Sequence, residues 1–252
     1  MIPRLTATEF ARYKKLKQRK YRHVWTQFIA EGHHLVQEAH QAHLIELIIT
    51  SDPTYRLDSI PIKLCTPLQM QMLSSVQTPQ TVLAICKFIP AKATKLGSRI
   101  LVLNQISDPG NLGTLIRSAR AFGFNDVVVQ GVDVYNSKVL RASQGALFGI
   151  NVFNCPDLPR YLESLRLTGY QLVAALVDSD AHNYQRIVNP SKLALILGNE
   201  ARGIEPQLHQ YFHHKVYIPI RFESLNVSAA GAVLMAHYAP PLEAKSAGVK
   251  SG

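Results

Sequence analysis

Three apolar runs beyond position 98 each break into a short, polar, glycine-bearing segment. These are DPGNLGTLIRSA at 108–119, LGNEARGI at 197–204 and IPIRFESLNVSAAGA at 218–232. Each apolar run reads as a buried β-strand. In an open α/β sheet, ligands sit in the crevice beyond the carboxyl ends of the strands, so the three segments are expected to build one site together.

Around them strands and helices alternate. RILVLNQI, DVVVQG, QLVAALV, LALILG and KVYIPI read as strands. Helices are expected from about Leu112, around Lys138 to Leu147, and from about Val227 to Tyr238. Such alternation predicts an α/β fold with a mostly parallel sheet covered on both faces, here spanning 99–240. In the helix from Leu112, the residues Leu112, Leu115, Ile116 and Ala119 share a buried face, which leaves Arg117 at its edge. Upstream, a basic helix over 6–20 with Thr8 as a cap leads into FIAEG, a helix over 33–42, and the strands LIELIIT, IKLCT and TVLAICKF, with a helix at LQMQMLSS. This predicts a small α/β unit over 1–90. IPAKATKLGS lacks periodicity and places an interdomain linker at 91–98. Residues 241–252 read as a loose tail.

The 252-residue chain carries 27 Lys and Arg against 17 Asp and Glu, a formal charge of +10. That implies a polyanionic partner, either a nucleic acid or an acidic membrane surface. The excess is concentrated at Arg12, Lys14, Lys15, Lys17, Arg19, Lys20 and Arg22, with Tyr13 and Tyr21 interleaved. Either this is a phosphate-binding patch with rings for base stacking, or it is a solvated helix face. Cys65, Cys86 and Cys155 form no C-x-x-C pair and suit a reducing compartment, the cytoplasm. His33, His34, His40 and His43 lack the companions of a zinc site, so no metal is expected. No apolar run is long enough to span a bilayer, and no membrane partner is expected. A basic, acid-poor N-terminus leaves an organelle transit segment as a minor reading.

The three segments together resemble the SpoU-type (TrmH-like) RNA ribose 2′-O-methyltransferases of the SPOUT superfamily. The resemblance is carried by Asn111-Leu112-Gly113 with Arg117, by Gly198-Asn199-Glu200-Ala201-Arg202-Gly203, and by Ser224-Leu225-Asn226-Val227-Ser228, all in the family's order. It implies a C-terminal trefoil knot, which pattern reasoning alone would not predict because threaded chains are very rare. It also implies that the N-terminal unit is a ribosomal-protein-like RNA-binding domain, with Glu31-Gly32 near its start, and that the chain forms homodimers in which one subunit's arginine completes the other's site. The implied donor is S-adenosylmethionine, with Gly198, Ile218 and Leu225 as donor-binding positions. Gly203, Asn226 and Ser228 are further candidates around the donor.

Among candidate catalytic residues Arg117 stands first. A free guanidinium, with a pKa of about 12.5 or above, is a poor base. It either assists the base at the 2′-hydroxyl once engaged with an RNA phosphate, as the resemblance implies, or clamps and orients that phosphate. Asn111 reads as a helix cap, as a contact to the RNA or to the catalytic Arg117, or as both. Glu200 is expected to fix Arg117 or the incoming nucleotide. Ser224 and Asn226 fall on the substrate side by the resemblance, and at least one of Ser224, Asn226 and Ser228 should cap the last helix. Gly198 and Gly203 would permit close approach of the donor's adenine or ribose, and Arg202 would meet RNA phosphates.

Two rivals remain at this point. A dinucleotide-dependent oxidoreductase needs G-x-G-x-x-G after the first strand, and DPGNLG lacks it. An RNA-binding protein of the same fold without the chemistry is the other. A basic domain of about 90 residues favours a folded ribosomal RNA target over tRNA.

Overall fold

The computed structural model describes residues 2–90 and 95–241. Residues 91–94 of the expected linker, and the expected tail beyond Pro241, lie outside the described residues.

The N-terminal part runs α1 (Ala7–Lys14), α2 (Arg19–Trp25), β1 (Gln27–Glu31), α3 (His33–Gln41), β2 (Ile45–Thr50), β3 (Ile62–Leu64), α4 (Pro67–Leu73) and β4 (Val82–Lys87). Its four strands are ordered β1-β4-β2-β3, with β4 antiparallel to both neighbours and β2 parallel to β3. The cap of α1 is Thr6 rather than Thr8. Thr6 and Glu9 form a reciprocal capping box, each side chain accepting from the other's backbone N–H, and this satisfies two of the orphan donors of the first turn. The expected single helix over 6–20 is broken between α1 and α2 by a short 3₁₀ turn at Lys15–Lys17.

The larger part continues β5 (Arg99–Ile106), α5 (Pro109–Ala121), β6 (Asp126–Gly131), α6 (Ser137–Ser143), β7 (Asn151–Asn154), α7 (Leu158–Leu167), β8 (Gln171–Ala175), β9 (His182–Asn183), β10 (Leu193–Leu197), β11 (His214–Tyr217) and α8 (Val227–His237). Its sheet has the order β7-β6-β5-β10-β8-β11-β9 and every pairing is parallel. Strands β7 and β9 and helix α7 are additions to the elements expected from the sequence.

Side-chain alternation along the strands sorts two cores. Leu101, Leu103, Val127, Val129, Leu195 and Leu197 point to the face covered by α5, α6 and α8. Ile100, Val102, Val128, Ala194 and Ile196 point to the face covered by α7. The central strands β5 and β10 are thus apolar on both faces, as parallel strands require.

The first core continues into the small sheet, where Phe28 stacks on Tyr135 with 4.9 Å between ring centroids and Phe88 stacks on the same ring at 3.9 Å. Tyr135 Oη also accepts the backbone N–H of Ile89 at 3.0 Å. Gly97, placed in the linker by its composition, is tied to the larger sheet: its N–H donates to Asp126 at 2.7 Å and its carbonyl accepts from Tyr170 Oη at 2.7 Å.

Candidate active site at the carboxyl edge of the parallel sheet

A cleft of about 480 Å³ opens beyond the carboxyl ends of β8, β10 and β11, lined by residues of the second and third glycine-bearing segments. Strand β10 ends at Leu197 and the chain then folds back on itself. Asn199 and Gly203 exchange both backbone hydrogen bonds at 2.9 Å. The Asn199 side chain braces the turn, accepting from the N–H groups of Ala201 and Arg202 at 2.9 and 3.0 Å and donating to the Gln105 carbonyl at 2.8 Å.

A Cβ on Gly198 would lie 2.4 to 2.5 Å from backbone atoms of Gly203 and Ile204. The missing side chain therefore makes room for the protein's own chain, not for a ligand as the sequence suggested. Gly203 meets a different need. Its φ of +69° is left-handed, with open space where a Cβ would stand, and glycine adopts that conformation at little cost.

This turn holds Glu200 over the start of α5. Its carboxylate accepts from Asn111 Nδ2 at 2.9 Å, from Ser107 Oγ at 2.8 Å and from the backbone N–H groups of Ser107 and Asp108 at 3.2 and 3.3 Å. Burial pushes this carboxyl up, but the donors from Asn111, Ser107 and the backbone outweigh it and bring the pKa down to about 2. The expected partner, Arg117, is not among the groups that fix Glu200.

Asn111 is not the cap of α5 either. Asp108 is, accepting from the N–H of Asn111 at 2.9 Å, and Pro109 opens the helix at a position where a missing N–H costs nothing. The Asn111 side chain is thereby free to bridge. Its Nδ2 donates to Glu200 and its Oδ1 accepts from Asn226 Nδ2 at 3.0 Å. Asn226 is itself the cap of α8, with Oδ1 accepting from the N–H and the hydroxyl of Ser228 at 2.9 and 2.6 Å. All three segments thus meet in one polar chain, Ser107–Glu200–Asn111–Asn226–Ser228, at the cleft rim.

The cleft walls include Ile218, Ile220 and Leu225 on one side and Ala175, Leu176 and Val177 at the end of β8 on the other, with Ser224 also in the lining. Between Ile218 and Leu225 no backbone group hydrogen-bonds to another described residue. A nucleoside-bearing donor needs apolar faces for its base and free peptide edges to read that base. This cleft offers both, within the ~300–1,000 Å³ range of small-molecule sites. S-adenosylmethionine fits that description, and Gly198, Ile218, Leu225 and Asn226 would lie around it. Ser107, Asn199 and Val177 were not singled out from the sequence. Asn199 carried a signal as a member of the second motif, and Ser107 as the polar residue directly between the first apolar run and DPGNLG.

Arg117 lies elsewhere. It is exposed and is not part of the cleft lining. Six residues beyond Asn111, it stands about 9 Å further along the axis of α5 and on a different side of the helix. Leu112, Leu115, Ile116 and Ala119 are fully buried, as their spacing required. Arg202 is exposed at the tip of the Gly198–Gly203 turn.

Of the seven basic residues near the N-terminus, Arg12, Lys14, Lys15, Lys17, Arg19 and Lys20 are exposed. Lys17 is engaged with the carbonyls of Ser74 and Met72, at 2.7 and 3.4 Å. Arg22 does not belong to the patch. It is 6% exposed and pairs with Asp133 of the larger part.

The SpoU rRNA methylase family model matches residues 98–236, and the MRM3-like substrate binding domain matches residues 11–84. The chain is 35% identical over 238 residues to the 23S rRNA (guanosine(2553)-2′-O)-methyltransferase RlmP of Bacillus subtilis, covering 89% of this chain and 93% of that protein. It is 27% identical over 186 residues to the 23S rRNA (uridine(2479)-2′-O)-methyltransferase of Streptomyces viridochromogenes, covering 68% of this chain and 63% of that one. An AdoMet-bound rRNA methyltransferase structure from Sinorhizobium meliloti superposes with a TM-score of 0.79 at 25% identity, over 93% of this chain and 95% of that one.

A parallel sheet with a donor-sized cleft at its carboxyl edge, joined to a basic N-terminal part, is the architecture of an S-adenosylmethionine-dependent RNA methyltransferase. The chain belongs to the SpoU rRNA methylase family.

Proposed function

We propose that the protein methylates a ribose 2′-hydroxyl of ribosomal RNA in the cytoplasm, with S-adenosylmethionine as donor. The observation that carries this reading is the convergence of Glu200, Asn111 and Asn226 on the rim of a cleft whose wall leaves its peptide groups free. When bound, the donor supplies an electrophilic methyl group on a positively charged sulfur. Gly198, Ile218 and Leu225 hold it through backbone groups and apolar contact, with Gly203 and Ser228 fixing the turns on either side. Ser224, Asn226 and Asn111 face the incoming ribose. Glu200 keeps Asn111 oriented. Arg117 engages the RNA phosphate and sets the 2′-hydroxyl in line with the donor's S–CH3 bond; the O–CH3 bond would form as that bond breaks, leaving S-adenosylhomocysteine, with the hydroxyl proton passing to solvent water. Orientation of this kind can supply much of a rate enhancement.

Arg117 stands outside the cleft of its own chain, which supports a homodimer in which it completes the partner's site. A deep trefoil knot is supported by the path of the C-terminal segment. From β11, beyond β8, the chain returns to lay α8 against α5, where Gly231 leaves room for Leu115. The end of α8 is then held at the amino-terminal end of the interior strand β5, where Arg99 Nε donates to the Tyr238 carbonyl at 2.6 Å. The N-terminal unit over 1–90 serves as the RNA-binding domain, with Arg12 on its RNA-facing surface, Lys14, Lys15, Arg19 and Lys20 toward phosphates and Arg202 doing the same at the cleft. Residues 99–240 form the methyltransferase domain.

Two rRNA methyltransferases similar to this chain act on a guanosine in one case and a uridine in the other, so the target nucleotide is best found by experiment. Incubation with rRNA and methyl-labelled donor should place label on a ribose 2′-oxygen, where it blocks alkaline cleavage of the adjacent phosphodiester. Absence of label on any rRNA substrate, naked or assembled into subunits, would overturn the reading.

A further inference from the structure

The N-terminal basic cluster is more ordered than a solvated charge run. The Arg12 guanidinium lies 5.2 Å above the Trp25 ring and 5.9 Å from the Tyr13 ring, and Nη2 donates to Gln27 Oε1 at 3.3 Å. The Lys15 and Lys20 ammonium groups stand 5.3 and 5.8 Å from the Tyr21 ring, which is itself 5.1 Å from Trp25. A guanidinium plane supported by an aromatic ring presents its outer face to solvent, and nucleobases stack on such planes as they do on aromatic rings. Because the rings already restrain the long side chain, binding there loses little further rotamer freedom.

We infer that Arg12, backed by Trp25, is a stacking platform for an unpaired nucleotide, with Lys15 and Lys20 meeting the phosphates on either side. The partner is a single-stranded or looped RNA segment, and the inference rests on the RNA substrate of the proposed function. Charge complementarity favours a polyanion. The planar stack favours one with exposed base faces, which neither a duplex nor a lipid surface offers. Of the nearby carboxylates, Glu9 is committed to Thr6 and Lys63 and Glu46 accepts from Gln27 Nε2, so neither is bonded to Arg12, Lys15 or Lys20. Arg22, bound to Asp133 beneath this surface, anchors the platform to the methyltransferase part. A nucleotide stacked on Arg12 would then hold the RNA at a fixed distance from the cleft.

Trp25 is the single tryptophan of the chain, so its emission reports directly on the platform. Titrating the full chain with an unstructured oligoribonucleotide should quench that emission. An RNA duplex of matched charge and vesicles of anionic phospholipid should bind at least about tenfold more weakly, or without quenching. Arg12→Ala should weaken single-strand binding by about tenfold with an unchanged melting temperature. Arg12→Lys, which restores the charge but not the plane, should not recover it. Equal binding of duplex or vesicles, or full recovery by lysine, overturns the platform. The two readings fail separately. Methyl transfer to rRNA with wild-type oligonucleotide binding by Arg12→Ala removes only the platform, whereas Arg12-dependent quenching in a chain that transfers no methyl removes only the proposed activity.

Discussion

The Arg22 guanidinium and the Asp133 carboxylate meet at 2.6 Å across the seam between the two sheets, with side chains only 7% and 6% exposed. Arg22 also donates from Nη1 to the carbonyls of Leu16 and Lys17, each at 2.9 Å, so four of its five N–H groups are used. Removing one partner of a buried pair leaves a charge with nothing to balance it. Asp133→Ala should therefore destabilise the protein by about 3–5 kcal/mol. Replacing both partners with apolar residues of similar size should cost far less, because it also removes the desolvation burden. Denaturant melts of the single and double variants check this. A single variant no worse than the double would show that the pair is not desolvated.

Glu200 has an isosteric test. In Glu200→Gln one acceptor oxygen becomes an NH₂ group that must face the donors either of Asn111 and Asp108 or of Ser107. The loss of hydrogen bonds to a charged group, each worth about 1.5–3 kcal/mol, should turn Asn111 away from the cleft rim. Methylation should fall by roughly ten- to a hundredfold in kcat/KM. Single-turnover kinetics with saturating donor measure this. Full activity in the Gln variant would mean that the orientation of Asn111 does not matter to the reaction.

The same residue sets an acid dependence. With its folded pKa lowered from 4.5 to about 2, Glu200 contributes stability that is fully present above pH 4.5. That contribution fades as pH falls toward 2, because the unfolded chain takes up the proton first. Acid titration of the folded fraction should therefore show wild type losing more stability than Glu200→Gln across this window, the two curves converging at its lower end. Parallel curves would contradict the lowered pKa.

The two glycines bracketing the cleft turn should respond differently to alanine. At Gly198 the added methyl meets backbone at 2.4 to 2.5 Å, where no flexible side chain can yield. The turn must then shift, with a loss of about 1–3 kcal/mol or more and with donor binding lost as well. At Gly203 the space is open and only the φ of +69° resists, which costs on the order of 1–2 kcal/mol. Calorimetric titration with S-adenosylhomocysteine should show binding abolished in the first variant and weakened in the second. Equal effects would place the strain elsewhere.

Much of this was legible in the residues. The spacing of Leu112, Leu115, Ile116 and Ala119 gave the buried face of α5, and three strand-to-glycine transitions gave the position of the cleft. Some misreadings were avoidable with local rules. Thr6 is followed three residues later by Glu9, the spacing of a capping box, and Asp108 precedes a proline, the pattern of a helix start. Others were not recoverable from spacing. Arg22 and Asp133 lie 111 positions apart, and a basic residue within a run of basic residues gives no sign that it alone is buried. Glu200 is similar: its donors come from a segment 89 to 93 positions away, and only the folded chain shows that Asn111, not Arg117, is within reach.

Arg117 provides the test of how a complete site is assembled. It is exposed and hydrogen-bonds to no other described side chain, so Arg117→Ala should leave the melting temperature essentially unchanged, as surface substitutions away from a network usually do. Methylation should nonetheless be nearly abolished. If the arginine acts across a two-fold interface, Arg117→Ala chains keep an intact cleft, while Gly198→Ala chains keep an intact arginine. Random reassociation makes half of the dimers mixed, and each mixed dimer holds one site with both parts sound. Activity should then return to about a quarter of the wild-type level, as a two-fold interface requires. If each chain instead serves its own cleft, mixing restores nothing, because every site in every dimer retains one defect.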